Sequence, residues 1–318
     1  MILHPTSIQE LAEGLHNAAA TSTRITDYEL SSLPRSIVHH AEDLTVTLTS
    51  NITLSELQAA LAPHRQWLPV DPPAEIPLTI EQILSNNLSG PRRYGYGTIR
   101  EHILGIKVML ADGRVVQSGG QVVKNVAGFD LCKLFIGSRG SIGIILEATF
   151  KLRPLPEAEE VFACEYHTLA ETDAVITTLL DSPISPILFD LHNLNHNQCW
   201  ELVVGFAGTR EDVAWQASVL RSLGNFRGCT SDYLEAAVQH ISNINATQSV
   251  LPSRLSAILA SLPAGPVLAH AGNGIIRNGT ANPVAVTSSI SSLLQRLKNE
   301  FDPAGIFNSL QAEKIGLI

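Results

Sequence analysis

The stretch from Gln121 to Pro154, QVVKNVAGFDLCKLFIGSRGSIGIILEATFKLRP, constrains this chain more than any other. Its centre, GSRGSIG, places glycines at 137, 140 and 143. Three positions without a Cβ tolerate positive φ and let a neighbour approach closely. Before the loop, Phe129 to Ile136 has apolar residues at 129, 131, 134, 135 and 136, which suits a short amphipathic helix. After it, Ile144 to Leu152 is apolar and β-branched and reads as a strand. A dinucleotide fingerprint sets its glycines after a strand and before a helix. Here the order is helix, glycines, strand, so that fold is excluded and the loop belongs to another kind of cofactor site.

The rest of the composition narrows the classes. With 318 residues and 45% of them hydrophobic, the chain can bury a sizeable core in one large or two medium domains. There are 21 basic against 30 acidic residues, a net charge of -9, and no long block of like charge. That balance argues against a nucleic-acid surface. No segment approaches the roughly 20 apolar residues of a membrane-spanning helix. The start, MILHPTSIQE, lacks the basic and apolar runs of a secretion signal, so a cytoplasmic protein is expected. Cys132, Cys164, Cys199 and Cys229 are too dispersed for an iron–sulfur cluster or a zinc site and read as reduced thiols. Electrons handled here would need an organic cofactor or a partner.

Along the chain, Thr6 to Ala20 has helical spacing, with Ser7 and Glu10 placed as a capping box. Arg24 to Tyr28 reads as a short strand, and Leu44 to Leu48 as a strand with clean alternation. Thr53, followed by Glu56, caps a helix to Leu61. Thr79 to Asn87 is predicted helical. Ser89 to Gly97, SGPRRYGYG, is a loop. Ile103 to Leu110 and Arg114 to Ser118 form a hairpin around Asp112-Gly113, a pair suited to positive φ angles. Beyond Pro156 the texture changes. Strands at 162–166, 186–192, 200–206 and 267–270 mix with helices at 169–180, 209–223, 252–262 and 288–299, an α+β layer on one sheet.

At KNVAGFDLCKLFIGSRGSIGIILEATFKLRP the sequence resembles the FAD-binding oxidoreductases of the vanillyl-alcohol oxidase, or PCMH, type. HPTSIQELAEGL, EDLTVTLTSNITLSELQAALAPHRQWLPVDPP, LSGPRRYGYGTIREHILGIKVMLADGRVVQSGGQVVKNVAGFDL, LAHAGNGIIR and FDPAGIFN extend the likeness along most of the chain. Within the family it is most similar to the E-type subunits of bacterial glycolate oxidases. The resemblance implies an α+β fold: a PCMH-type FAD-binding domain of two α/β subdomains at 1–155, then a smaller cap-like domain at 156–318. It implies non-covalent FAD along Ser89, Gly90, Pro91, Arg92, Tyr94 and Gly97. Gly140, Ser141, Gly143 and Ile145 would follow the adenosine and diphosphate side, and Asn125 and Asp130 would lie near the isoalloxazine edge. It implies partners as well: a catalytic D-type flavoprotein and an iron–sulfur F-type subunit of a 2-hydroxy-acid oxidising complex, cytoplasmic or peripheral to the inner membrane.

The departures point the other way. The family's RGGGT-like loop falls where this chain reads TSTRITDYELSSLPRSIVHH, and no glycine occurs between Gly14 and Gly90. The family's second glycine segment is replaced by AEIPLTIEQIL. Side chains in those turns occupy space that phosphates need. Where relatives carry HxGDGNxH, this chain has His270, Gly272, Asn273, Gly274, Ile275 and Arg277. His270 and Asn273 are the candidate catalytic residues; the alternative is a hydrogen-bonded histidine at the domain interface. Arg92 and Arg93 serve a phosphate or a partner, or else an internal ion pair with Glu101. Asn125 and Asp130 serve the flavin or cap the helix that follows. The competing whole-chain expectations are therefore a weak FAD site in an electron-relaying or supporting subunit, and a flavin-free scaffold of the same fold.

Overall fold

The computed structural model describes residues 1–72, 76–120, 131–194, 199–229, 233, 237, 246–278 and 288–308. In chain order the first half forms β1 (Ile2–Leu3), α1 (Ile8–Ala20), β2 (Asp27–Tyr28), β3 (Ile37–His40), β4 (Thr45–Thr49), α2 (Leu54–Leu61), β5 (Gln66–Trp67), α3 (Ile80–Ser85), α4 (Arg93–Tyr96), α5 (Ile99–His102), β6 (Ile103–Met109), β7 (Val115–Gly119), α6 (Cys132–Phe135), β8 (Ile144–Lys151) and β9 (Arg153–Pro154). The second half forms β10 (Ala158–Tyr166), α7 (Leu169–Leu180), β11 (Leu188–His192), β12 (Trp200–Gly208), α8 (Arg210–Leu223), β13 (Arg227–Gly228), β14 (Ala246–Ser249), the helix Leu255–Ser261, β15 (Val267–His270), β16 (Ile275–Asn278) and the helix Ser288–Phe301.

A five-stranded sheet in the order β3-β4-β8-β6-β7 carries the first core. One face, with Val46, Leu48, Val108 and Phe150, packs on α2 and α3 through Leu57, Leu61, Ile80 and Leu84. The other face, with Met109, Ile144 and Leu146, packs on α1 through Leu11, Leu15 and Ala18. Strand β8 serves both faces by alternation, and the register slip where Lys107↔Glu147 gives way to Val108↔Ile145 puts Ala148 and Phe150 in the same cluster as Ile145. One extra residue in a strand reverses which side chains face which way. Ile306 and Phe307, near the end of the chain, join this second layer.

The second sheet has seven strands in the order β13-β10-β12-β11-β15-β16-β14, every pair antiparallel. Phe162, Phe189, Leu191, Val204 and Phe206 cover one face and pack with α7, α8 and the helix Leu255–Ser261. The opposite face carries Leu188, Val203 and Leu268, with the polar Asp190 and His270 buried beside them.

Local signals explain many of the elements and correct others. Thr53 Oγ1 and Glu56 form the reciprocal cap of α2, as predicted. At α1 the box is shifted by one residue: Ser7 accepts from Glu10 N, but the Glu10 carboxylate returns to Thr6 N at 2.7 Å. The β6–β7 connection uses three residues, Ala111 to Gly113. Leu110 N donates to Arg114 O at 2.9 Å, and at Asp112-Gly113 only Gly113 has positive φ, at 76°. A two-residue turn of type I′ needs positive φ at both centres; this loop is a tight turn followed by a left-handed glycine. The helix expected at 129–136 is described only as the single turn α6, with 129–130 outside the described residues. Strands β1, β3, β9, β13, β14 and β16 were not expected, nor was the helical turn α4 inside the segment read as a loop.

Gly274 shows where the backbone demands glycine. Its φ is +67°, and a Cβ there would lie 1.9 Å from Val250 O. Gly305 has the same sign of φ, +65°, but open space around it. Left-handed backbone costs a residue with a Cβ about 1–2 kcal/mol. Gly305→Ala is expected to lose about that much, and Gly274→Ala distinctly more because the clash is with backbone. Denaturant midpoints of the two variants measure the difference.

Candidate functional site

The loop Ser89–Gly97 lies between the two sheets. Helix α4 docks on β11: Gly95 N donates to Ile187 O at 3.1 Å, and the Tyr94 ring meets the Phe189 ring at 5.7 Å. Gly272 must lack a side chain here, since a Cβ would sit 2.0 Å from the Tyr94 ring. Arg92 is committed to the protein itself, with Nη1 3.0 Å from Asp71 and Nη2 2.6 Å from Glu159. Burial raises the Asp71 carboxyl to about 6, against the opposing charge of Arg92. Gly90 packs on Asp71, whose carbonyl oxygen would lie 1.7 Å from a Cβ. At Gly97 a Cβ would collide with the Glu101 carboxylate. Pro91 is buried. Ser89 is also buried, and its Oγ has no hydrogen-bond partner.

Gly137, Arg139 and Gly140 all take positive φ, at 82°, 53° and 69°. The loop they form lies on α3: Gly137 N donates to Leu84 O at 2.9 Å and Arg139 N to Ser85 O at 2.8 Å. Ser141 and Ile145 are buried, the Ser141 hydroxyl donating to Ser138 O. A Cβ on Gly143 would meet Val108 at 2.6 Å, and one on Gly140 would meet the Tyr28 hydroxyl at 2.8 Å. Asn125 and Asp130 lie outside the described residues.

Between β2, α3 and this loop runs a groove of about 230 Å³ lined by Asp27, Tyr28, Glu81, Asn86, Arg139 and Gly140 among others. Ligand pockets usually enclose roughly 300–1,000 Å³. A diphosphate wants free N–H donors or cations. The leading N–H groups of α3 are instead spent: Ile80 N on Ile52 O at 2.8 Å, Glu81 N on Ser50 O at 2.8 Å, and Gln82 N on Thr79 Oγ1 at 3.2 Å. The Glu81 side chain is 8% exposed, and its carboxylate accepts from the Tyr28 hydroxyl at 2.7 Å. Burial raises the Glu81 carboxyl above the ordinary glutamate range, while the Tyr28 hydrogen bond pulls it back. Burial and the charge of Glu81 raise the Tyr28 phenol well above its usual value. The described lining thus brings two carboxylates and one guanidinium to the place where the resemblance puts the flavin diphosphate. These residues do not fit it. Nearer Ser89 the situation differs, because Asn87 Oδ1, Ser89 Oγ and Ser138 Oγ are all buried without partners and can receive polar groups of a ligand.

The second sheet contributes a buried constellation that was only half visible from the sequence. Asp190 on β11 stands opposite His270 on β15. His270 Nδ1 lies 2.7 Å from Asp190 Oδ1, and the Tyr233 hydroxyl donates to Asp190 Oδ2 at 2.7 Å. Both Asp190 and His270 are 1% exposed. The hydrogen bond to Asp190 fixes the ring with Nδ1 toward the carboxyl group and Nε2 away from it. Nε2 has no partner, nor does Asn273 Oδ1. An acid–histidine pair of this kind is able to take a proton from a hydroxyl. Asp190 and Tyr233 were not foreseen; the one signal was an acid inside the apolar strand LFDLH. Among the described residues no group of three or more His, Cys, Asp or Glu is placed to hold a metal ion.

Comparison with known proteins shows what the chain is similar to. Residues 28–119 match the family described as FAD binding domain. Alkyldihydroxyacetonephosphate synthase superposes with a TM-score of 0.71 at 16% sequence identity, covering 96% of this chain and 75% of that one. The fold is thus the α+β, PCMH-type FAD-binding fold. The glycolate oxidase subunit GlcD of Bacillus subtilis is 32% identical over 145 residues, 46% of this chain and 31% of that protein. The glycolate oxidase subunit GlcE of Escherichia coli is 36% identical over 126 residues, 39% of this chain and 36% of its own length. A probable mitochondrial D-lactate dehydrogenase of Danio rerio is 29% identical over 216 residues, 63% of this chain and 43% of that protein. The chain spans under half the length of each of these three relatives. No helix among the described residues is long and apolar enough to cross a membrane.

Proposed function

We propose that this chain is an E-type subunit of a glycolate-oxidase-like complex that oxidises 2-hydroxy acids. In that role it supports a catalytic D-type flavoprotein beside an iron–sulfur subunit, and holds FAD weakly or only with its partners' help. The observation that carries the reading is the split character of the candidate cofactor residues. Asn87, Ser89 and Ser138 keep buried, unpartnered polar atoms. The groove at α3 is occupied by the Tyr28–Glu81 pair. FAD, where bound, supplies hydride or electron transfer; this chain supplies the polar atoms of Asn87, Ser89 and Ser138 and the fold that orients them. A flavin-free scaffold is the second reading, and the loss of free N–H donors at α3 favours it.

The visible spectrum of the purified chain, alone and co-purified with D-type and iron–sulfur subunits, tests the proposal. The isolated chain is expected to carry far less than one flavin per chain and to leave glycolate unoxidised. Uptake of FAD only in the complex supports the first reading. A complex in which this chain stays colourless supports the scaffold. Stoichiometric flavin on the isolated chain, together with glycolate turnover, would sink both.

A further inference from the structure

The seam between the two halves of the chain carries a second concave surface, and none of its lining residues belongs to the candidate site above. It is a groove of about 610 Å³, lined from the first half by Leu44, His64 and Arg65 and from the second by Glu157 and Arg210. That volume falls within the roughly 300–1,000 Å³ of small-molecule sites. The β5–β9 pair sets which way it faces. Gln66 stands opposite Pro154 and Trp67 opposite Arg153, so the two pairs point to opposite sides. Gln66 and Pro154 line the groove. Trp67 and Arg153 turn the other way, onto Tyr96 of α4, with ring centroids 5.3 Å apart and the guanidinium 6.0 Å from the ring centre.

Strained backbone shapes this groove. Among the described residues, the non-glycine positions with positive φ include Leu44 at 53° and Arg65 at 52°, and both line it. Such residues persist only where their surroundings hold them, and they gather at functional sites. Here the segment joining the halves does the holding. Leu152 N donates to Leu44 O at 2.7 Å, and Leu155 N donates to Arg65 O at 2.8 Å. The charge of the groove also runs against the rest of the molecule. The chain carries a net charge of -9, yet the groove sets Arg65, Arg210 and His64 against the single acid Glu157. Glu157 serves the protein: its carboxylate accepts from Arg210 N at 3.5 Å, at the start of α8, where the helix dipole favours negative charge. Among the described residues the side chains of Arg65 and Arg210 have no hydrogen bond or ion pair.

We propose that this groove binds a small organic polyanion, a molecule that carries two or more carboxylate or phosphate groups on one carbon frame. Guanidinium groups match those oxyanions in geometry and charge. Arg65 and Arg210 come from different halves of the chain, so one ligand engaging both needs two anionic groups. Leu44, Pro154 and Leu155 add apolar surface that a carbon frame covers and a bare inorganic anion does not. A ligand held by both arginines ties the two halves together, and binding to the folded form alone raises the unfolding midpoint. The site involves neither flavin nor partner subunits, so its failure would leave the function proposed above untouched.

The test uses the isolated full chain, titrated calorimetrically and followed by thermal unfolding, with citrate, 3-phosphoglycerate, acetate and sulfate at matched ionic strength. Citrate or 3-phosphoglycerate is expected to bind at least fivefold more tightly than acetate, the upper end for one further exposed ion pair, and to raise the midpoint. Whichever of the two binds more tightly tells a polycarboxylate site from one for phosphorylated acids. Arg65→Gln and Arg210→Gln are each expected to weaken the tighter ligand about fivefold, and the double variant to abolish its binding. Their midpoints without ligand should match wild type, because neither side chain has a protein partner to lose. Arg227→Gln, at an exposed arginine outside the groove, should change nothing. Binding that survives the double variant overturns the proposal. So does sulfate matching the better organic anion on the wild-type chain, or a failure of both organic anions to bind, and neither result depends on a variant.

Discussion

Lys298→Ala is expected to destabilise the protein by about 3–5 kcal/mol, the usual result of removing one partner from a buried ion pair. Lys298 lies on the helix Ser288–Phe301 and is 8% exposed. Its ammonium faces four oxygens: Asp302 Oδ2 at 2.6 Å, Ser141 O at 2.7 Å, Asn308 O at 2.8 Å and Phe307 O at 3.1 Å. Asp302 in turn accepts from Ile306 N at 3.0 Å and Phe307 N at 2.9 Å. One cation therefore fastens the end of the described chain to the glycine loop of the first half. Without it the Asp302 carboxylate stays buried with backbone donors alone, and the Ser141 carbonyl loses its donor. At roughly 2–4 °C per kcal/mol for a protein of this size class, the unfolding midpoint is expected to fall by about 10 °C. Lys298→Met, which keeps the aliphatic stem, is expected to recover only the packing part. An unchanged midpoint in Lys298→Ala would refute this account of how the two ends are joined.

That clamp was not legible in the sequence, and the reason is physical. A lysine on a helix with a polar outer face reads as solvated, because nothing local reveals that a carbonyl more than 150 positions earlier will lie against it. What was legible came from short-range rules. Thr53 with Glu56 gave the cap of α2, and the alternation of LTVTL gave β4. The apolar run after GSRGSIG gave β8 and the order helix, glycines, strand. The glycines of GSRGSIG read as places where a neighbour can approach closely, but neither there nor at the other glycines of the candidate site does the sequence say what fills the space. At Gly90 it is Asp71, at Gly97 Glu101, at Gly143 Val108 and at Gly272 the Tyr94 ring. A sequence shows that room is needed and not whether ligand or protein takes it. His270 was visible as a candidate, whereas Asp190 reaches it through strand register 80 positions away, and Tyr233 reaches Asp190 across 43 positions of chain.

Glu81→Gln is expected to raise the affinity of the isolated chain for ADP and FAD at least tenfold. The carboxylate sits in the first turn of α3, at the groove where the diphosphate would have to lie. Two unit charges 4 Å apart repel by about 4 kcal/mol at an effective dielectric of about 20, and a third of that is a factor of ten in affinity. The glutamine keeps the size and still accepts from the Tyr28 hydroxyl, so the change isolates charge from packing. Protonation should act in the same direction. Because burial raises the Glu81 carboxyl, its neutral form becomes populated at less acidic pH than an ordinary glutamate. Affinity of the wild-type chain for ADP should therefore increase as pH falls, and Glu81→Gln should remove that dependence. ADP serves as the first probe because it carries the diphosphate without the flavin ring, and its heat of binding is readable without colour. Equal affinities for the two proteins at every pH would show that Glu81 does not guard the groove. The weak flavin binding proposed above would then rest on the spent N–H donors of α3 and the absent first glycine loop.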